Sequence, residues 1–163
     1  MVESTTEPRA DDGRHETPNE RLDRNWDELL QELRVTQTGT QLISGFLLTL
    51  LFQQRFAELD SFQVTIYLVL VALAAGATAL GLAPVSLHRT LFRRHEKEQM
   101  VSIGNVLLKA TLALVALLAG GVVMFIFDVA VNLLAGLIAG AVTLLLLLLV
   151  LVVLPRSVRR DVE

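Results

Sequence analysis

Residues 144–154 read LLLLLLVLVVL, a run whose only polar atoms belong to its backbone. It closes the last of four longer apolar stretches, at about 35–52, 62–87, 103–127 and 131–154. Crossing a hydrocarbon core of about 30 Å takes about 20 helical residues, so each is long enough to span a bilayer. Inside lipid every backbone N–H and C=O must be satisfied within its own segment, which selects helices. A barrel strand would alternate polar and apolar side chains, and these runs do not. The chain is 53% hydrophobic and 19% charged, with its polar residues gathered at the N-terminus rather than dispersed. The expected fold is therefore all-α: a polytopic membrane protein with four transmembrane helices in a bundle, preceded by a cytoplasmic amphipathic helix.

The third and fourth runs are separated only by FDVAVN, where Asp128 and Asn132 are the only strongly polar residues for many positions on either side. A tight hairpin is expected there, with Asp128 capping the fourth helix. Arginine and lysine near the spans set the orientation. Arg21, Arg24 and Arg34 precede the first span, Arg89, Arg93, Arg94 and Lys97 lie in the central loop, and Arg156, Arg159 and Arg160 follow the fourth. On the opposite side stands Arg55 alone. Both termini and the central loop should face the cytoplasm, in a multi-pass protein of the plasma membrane. The N-terminus holds no apolar stretch of a cleavable signal, so the first span is expected to direct insertion itself.

Residues 1–16 form an acidic tail too polar to fold alone. Residues 17–34 carry a capping box, Thr17 with Glu20, and Pro18 at the first helical position. Leu22, Trp26, Leu29, Leu30 and Leu33 then make one apolar stripe. Trp26 could anchor this helix at the lipid headgroups, but its five acidic residues, Glu20, Asp23, Asp27, Glu28 and Glu32, make anionic lipid a poor partner. Docking against the protein, beside Arg93 and Arg94 of the central loop, is the expected arrangement. Residues 155–163 form a basic C-terminal tail.

The first span is unusual in its polar side chains. On a helical wheel Ser44, Gln37, Gln41, Arg34, Gly45, Thr38 and Thr49 share an arc of about 140°, interrupted only by Leu48. The candidate face is Gln37, Thr38, Gln41 and Ser44. It serves either as a seam that binds helices together or as the wall of a polar cavity, and helix packing is the commoner use of such residues. The other spans also carry faces of small residues: Ala72, Gly76, Ala79 and Ala83; Ser102, Asn105, Lys109, Ala113, Ala116 and Gly120; Gly136 and Gly140. Each is expected to face inward.

Arg34, His88, Arg89, Lys109 and Asp128 are the ionisable candidates at the membrane interfaces, and no span has one near its centre. Coupled ion carriers usually place an acid, base or histidine there. His88 and His95, with Glu96, lack the spacing of a metal site, and there is no cysteine. No nucleophile–base pair, phosphate-binding loop or nucleic-acid motif is present. The expectations are no enzyme activity, no cofactor, no metal and no nucleic-acid partner. The expected partners are the lipid bilayer and a homo-oligomer or another membrane protein.

ELLQELRVTQTGTQLISGFLLTLLFQQRF, with Phe62, Gln63 and Tyr67 following and then LAPVSLHRTLFRR, resembles an uncharacterised prokaryotic family of small four-span membrane proteins. The family is defined as a domain of unknown function, and the resemblance runs from about Trp26 to the hairpin after Asp128. Some members are labelled sodium:proton antiporters, so the resemblance implies a membrane protein with cation/proton exchange as one reading of its activity. It assigns no catalytic or ion-binding position. The alternatives are thus a structural or accessory membrane protein acting through helix–helix and cytoplasmic contacts, and a small cation/proton-coupled transporter.

Overall fold

The computed structural model describes residues 17–91, 97–153 and 156. Helix α1 runs over Pro18–Leu50, α2 over Ser61–Leu91, α3 over Lys97–Ala130 and α4 over Leu133–Leu148. A 3₁₀ turn at Gln54–Glu58 lies between α1 and α2, and a π turn at Leu149–Val153 extends α4. The acidic tail, the C-terminal tail beyond Arg156, and Arg93 and Arg94 lie outside the described residues.

Helix α1 begins where its capping chemistry dictates. The Thr17 hydroxyl accepts from the Glu20 N–H at 3.3 Å, and the Glu20 carboxylate accepts from the Thr17 N–H at 2.8 Å. The backbone bond to Thr17, followed by the side-chain bond, holds the Glu20 carboxyl below its ordinary value of 4.5. A depressed folded value means that the cap's contribution is complete above pH 4.5 and fades as pH falls through the lower folded value. The protection factors of the Glu20 and Arg21 amides, taken relative to their intrinsic exchange at each pH, should therefore fall on acidification, and Thr17→Ala should show the low protection already at pH 7.

No break separates the expected juxtamembrane helix from the expected first span. Helix α1 is continuous for 33 residues, about 50 Å at 1.5 Å per residue. The change in composition at Arg34–Val35 carries no proline or cap, so nothing ends the hydrogen-bond ladder there. Helix α1 runs antiparallel to α2: Gln37 meets Thr78 and Leu47 meets Tyr67. It runs parallel to α3, with Trp26 and Leu29 on Gly104 and Leu33 packed with Leu108. Leu47, Tyr67, Leu70, Ala74, Leu118 and Phe125 form the core these three helices share. Tyr67 fastens it: its hydroxyl donates to the Leu47 carbonyl at 3.1 Å, and its ring meets Phe56 edge-on at 5.0 Å.

Helix α4 stands apart from this core, so the four helices do not close into the expected bundle. It doubles back beside α3, where Gly136 and Gly140 sit against Met124, Asp128 and Gly120. Most of its surface, from Leu134 through Ile138 and Val142 to Leu146, is exposed. The fold is a three-helix core with α4 flanking α3.

Among the described residues, three helices are long and apolar enough to cross a membrane: Ser61–Pro84, Gln99–Ala130 and Leu133–Val153. Helix α1 falls short of that composition because of the threonines and glutamines at 36–41, in the first half of the expected span.

The hairpin forms at FDVAVN, but with a different cap from the one expected. The Asn132 side-chain oxygen accepts from the Ala135 N–H at 2.9 Å and so caps α4. Asp128 lies one turn earlier, still inside α3. The connection needs only Val131 and Asn132, because the Phe127 carbonyl accepts both of their N–H groups at the end of α3.

Candidate functional site

The polar side chains of α1 divide between two directions. The buried line of the helix is Trp26, Leu29, Leu33, Thr40 and Leu47, so its centre falls on Thr40. At 100° per residue, the line through Arg34, Thr38, Gln41, Gly45 and Leu48 lies about 120° away. Gln37 and Ser44 sit on the near edge of the expected face and are half-buried, whereas Thr38 and Gln41 are exposed. The expected arc is therefore half seam and half outer surface.

Glycine creates the seat for the inward half. A Cβ at Gly81 would stand 2.7 Å from Gln37 Nε2 and 2.9 Å from its Cγ, so only glycine lets the carboxamide lie on α2. From there Nε2 donates to the Thr78 carbonyl at 3.5 Å, a long and weak contact. Thr40, Ser44 and Thr78 donate their hydroxyls to the carbonyls of Thr36, Thr40 and Ala74, each four residues back in its own helix. A hydroxyl satisfied in this way presents its carbon atoms to the neighbouring helix and packs as an apolar group. A groove of about 430 Å³ between α1 and α2 is lined by Ser44, Thr78 and otherwise apolar residues such as Leu47, Val71 and Leu82. The hydroxyls that border it are already bonded to their own backbones.

The outward half differs. Thr38 is satisfied by the Arg34 carbonyl at 3.0 Å, but Gln41 has no hydrogen-bond partner among the described residues. A Cβ placed on Gly45 would meet nothing within 4 Å.

The small-residue faces expected on α2 and α3 are also displaced. Helix α2 buries Ala74, Ala77 and Gly81, while Ala72 and Ala79 are exposed. On α3, Ser102, Asn105, Lys109 and Ala113 are exposed and only Gly120 of that line is buried. The buried line is instead Met100, Gly104, Leu108, Thr111, Leu118 and Phe125. Gly104 is the functional position that periodicity overlooked, since its role shows only beside Trp26 of another helix. The face expected on α4, Gly136 and Gly140, is buried against α3.

The ionisable candidates do not converge. Arg34 is exposed on the outer line of α1, and His88 and Arg89 are in the last turn of α2 with side chains outside the described ones. Lys109 is exposed and borders a groove of about 560 Å³ lined by Leu112, Ala113, Leu117, Leu144 and Leu148. Asp128, in contrast, is buried at the hairpin, and its Oδ2 has no hydrogen-bond partner among the described residues. His95 and Glu96 lie outside the described residues, and no group of metal-binding side chains occurs among the described ones.

No curated protein and no solved structure matches the chain significantly. A family model does, over residues 15–155, which takes in all four helices and both connections at the hairpin end. The match extends beyond the stretch from Trp26 to the hairpin that carries the sequence resemblance. The chain belongs to that family, described as a family of unknown function (DUF6328).

Proposed function

We propose that this is an integral membrane protein that acts structurally or as an accessory subunit, through lateral helix contacts rather than catalysis. The observation that carries this reading is the outward polar line of α1, which this chain leaves uncovered while packing every other polar side chain of that span against itself or its own backbone. In the same reading α1 is a fourth span. Its Gln37–Leu47 stretch lies beside Thr78–Tyr67 of α2, within a helix composed to cross a membrane, so α1 occupies the same depth. The polar residues that lower its hydropathy are those bonded to the backbone or gathered on the outer line.

Both chain termini and the α2–α3 connection then face the cytoplasm of the plasma membrane. Arg21, Arg24, Arg34 and Arg156 stand at that end and Arg55 at the other, in accord with the positive-inside rule. Counting back from Ala130, Lys109 is about 30 Å from the hairpin, at the cytoplasmic edge of the hydrocarbon. Its ammonium reaches the headgroups from there.

A second reading, cation/proton exchange, is favoured by one observation, the buried Asp128 carboxyl with an unpartnered oxygen. A buried carboxyl at the membrane interface, with an oxygen free to bind a proton, is the one acidic group placed to take part in such exchange. Purified protein in liposomes separates the two. The accessory reading expects no dissipation of an imposed sodium or pH gradient. Flux that disappears in both Asp128→Asn and Gln41→Leu would replace it with the transporter.

A further inference from the structure

We propose that the outer line of α1 is the contact surface for a second copy of this chain, with the two Gln41 carboxamides bonded to each other across a two-fold axis. The proposal rests on the reading of α1 as a membrane span.

Arg34, Thr38, Gln41, Gly45, Leu48 and Phe52 are separated by alternating steps of four and three residues. That is the 3.5-residue spacing of a helix seam, the pattern that keeps one stripe against a parallel partner helix over several turns. All six are exposed, Leu48 at 56% and Phe52 at 83%. The helix thus has two seams of this spacing. One, through Trp26, Leu29, Leu33, Thr40 and Leu47, is filled by α2 and α3, and the second is empty.

Depth makes the vacancy costly. Gln41 is ten residues before the C-cap Leu51, about 15 Å into a core about 30 Å thick. A carboxamide in hydrocarbon without a partner is strongly unfavourable, and its long chain cannot reach water from the middle of the bilayer. The amide carries both a donor and an acceptor, so it is complementary to itself. A two-fold axis along the membrane normal brings identical residues together, and closed two-fold dimers are the commonest assembly. Four residues on, Gly45 removes the side chain that would hold the backbones apart. The Arg34 pair falls at the cytoplasmic end, where water and headgroups separate the charges. A lipid tail could cover Leu48 and Phe52, but it offers the amide nothing.

The chain has no cysteine, so single cysteines report directly. Full-length protein carrying Thr38→Cys or Leu48→Cys, which keep Gln41 and Gly45 in place, should form disulfide-linked homodimers when oxidised in native membranes. Leu42→Cys and Phe46→Cys should not, although Leu42 and Phe46 are 62% and 76% exposed. In detergent-free bilayers, Gln41→Leu should weaken self-association measured by energy transfer by about tenfold, roughly the loss of one interhelical amide pair. Gln41→Asn should retain most of it. A monomer at every position, or cross-linking as strong at Leu42 and Phe46, overturns the dimer. Labelling Gln41→Cys with a membrane-impermeant maleimide in sealed vesicles of both orientations tests the span separately. Ready labelling overturns the span and the dimer together, whereas protection without cross-links overturns the dimer alone.

Discussion

Gly136→Ala should loosen α4 from α3, while Gly121→Ala, a substitution of the same size on the same helix pair's partner, should leave that contact in place. A Cβ at Gly136 would stand 2.6 Å from the Met124 carbonyl oxygen and 3.0 Å from the Asp128 nitrogen. Both are backbone atoms of α3 and cannot rotate aside, so the two helices must separate. A Cβ at Gly121 would come within 2.5 Å of Leu70 Cδ2, a side-chain atom of α2, so whatever adjusts there lies away from α4. Overpacking of the first kind costs about 1–3 kcal/mol. In lipid it weighs more than the same figure in water, because no hydrophobic force pushes α4 back onto α3. Close packing of small residues is the main attraction left. Gly140→Ala acts on the same neighbour, with its Cβ 2.7 Å from Met124 Cβ, so the double substitution should not be additive. Disulfide yield between cysteines placed at Ala116 and Leu144, which line one groove, reads the separation. The yield should fall for Gly136→Ala and hold for Gly121→Ala. Equal yields would mean that α4 is held elsewhere.

That contrast shows which features of the fold are legible in one dimension. Gly136 and Gly140 could be assigned to an interface because they are the two glycines of a leucine-rich α4 and stand four residues apart. On α2, the sequence VALAAGATALGLA puts small residues on every side, and composition gives no reason to choose Ala74 and Ala77 over Ala72 and Ala79. The hairpin was legible from its two polar residues, but the division of labour between them was not. Asn132 caps and Asp128 is buried because the turn comes one helical turn later than an aspartate cap would place it.

Helix α1 was the hardest to orient, for a physical reason. In water the apolar side of a helix faces the protein, whereas in a bilayer both lipid and protein accept apolar groups. Polarity must then be judged after local satisfaction. Thr40 counts as polar by composition, yet its hydroxyl is bonded to Thr36 and the residue is 1% exposed. Gln41, its immediate neighbour, has a side chain too long for the same internal bond and points outward. The wheel found the polar arc correctly but could not see that the arc's edge, not its middle, meets α2.

The N-terminal half of α1 should be released by a single truncation. Trp26→Ala removes an indole that is 3% exposed and seated over Gly104, where a Cβ would lie 2.9 Å from its Cζ3. Removing a buried tryptophan costs about 3–5 kcal/mol. The other anchors of this segment are Leu29 and Leu33, and the Arg24–Glu28 ion pair on its solvent side adds little. A helix of this length standing alone in water is marginal, so without its anchor on α3 the segment should fray as far as Arg34. Amide exchange over residues 18–33 should rise steeply in Trp26→Ala and trypsin should cut at Arg24. Residues 40–50, held by Leu47 on Tyr67, should stay protected. Gly104→Ala should reproduce the release from the opposite side by filling the same seat. If exchange rises equally along all of α1, the two halves share one cooperative unit. The C-terminal half of α1 would then depend on Trp26, and the continuous backbone through Arg34 would be what transmits the loss.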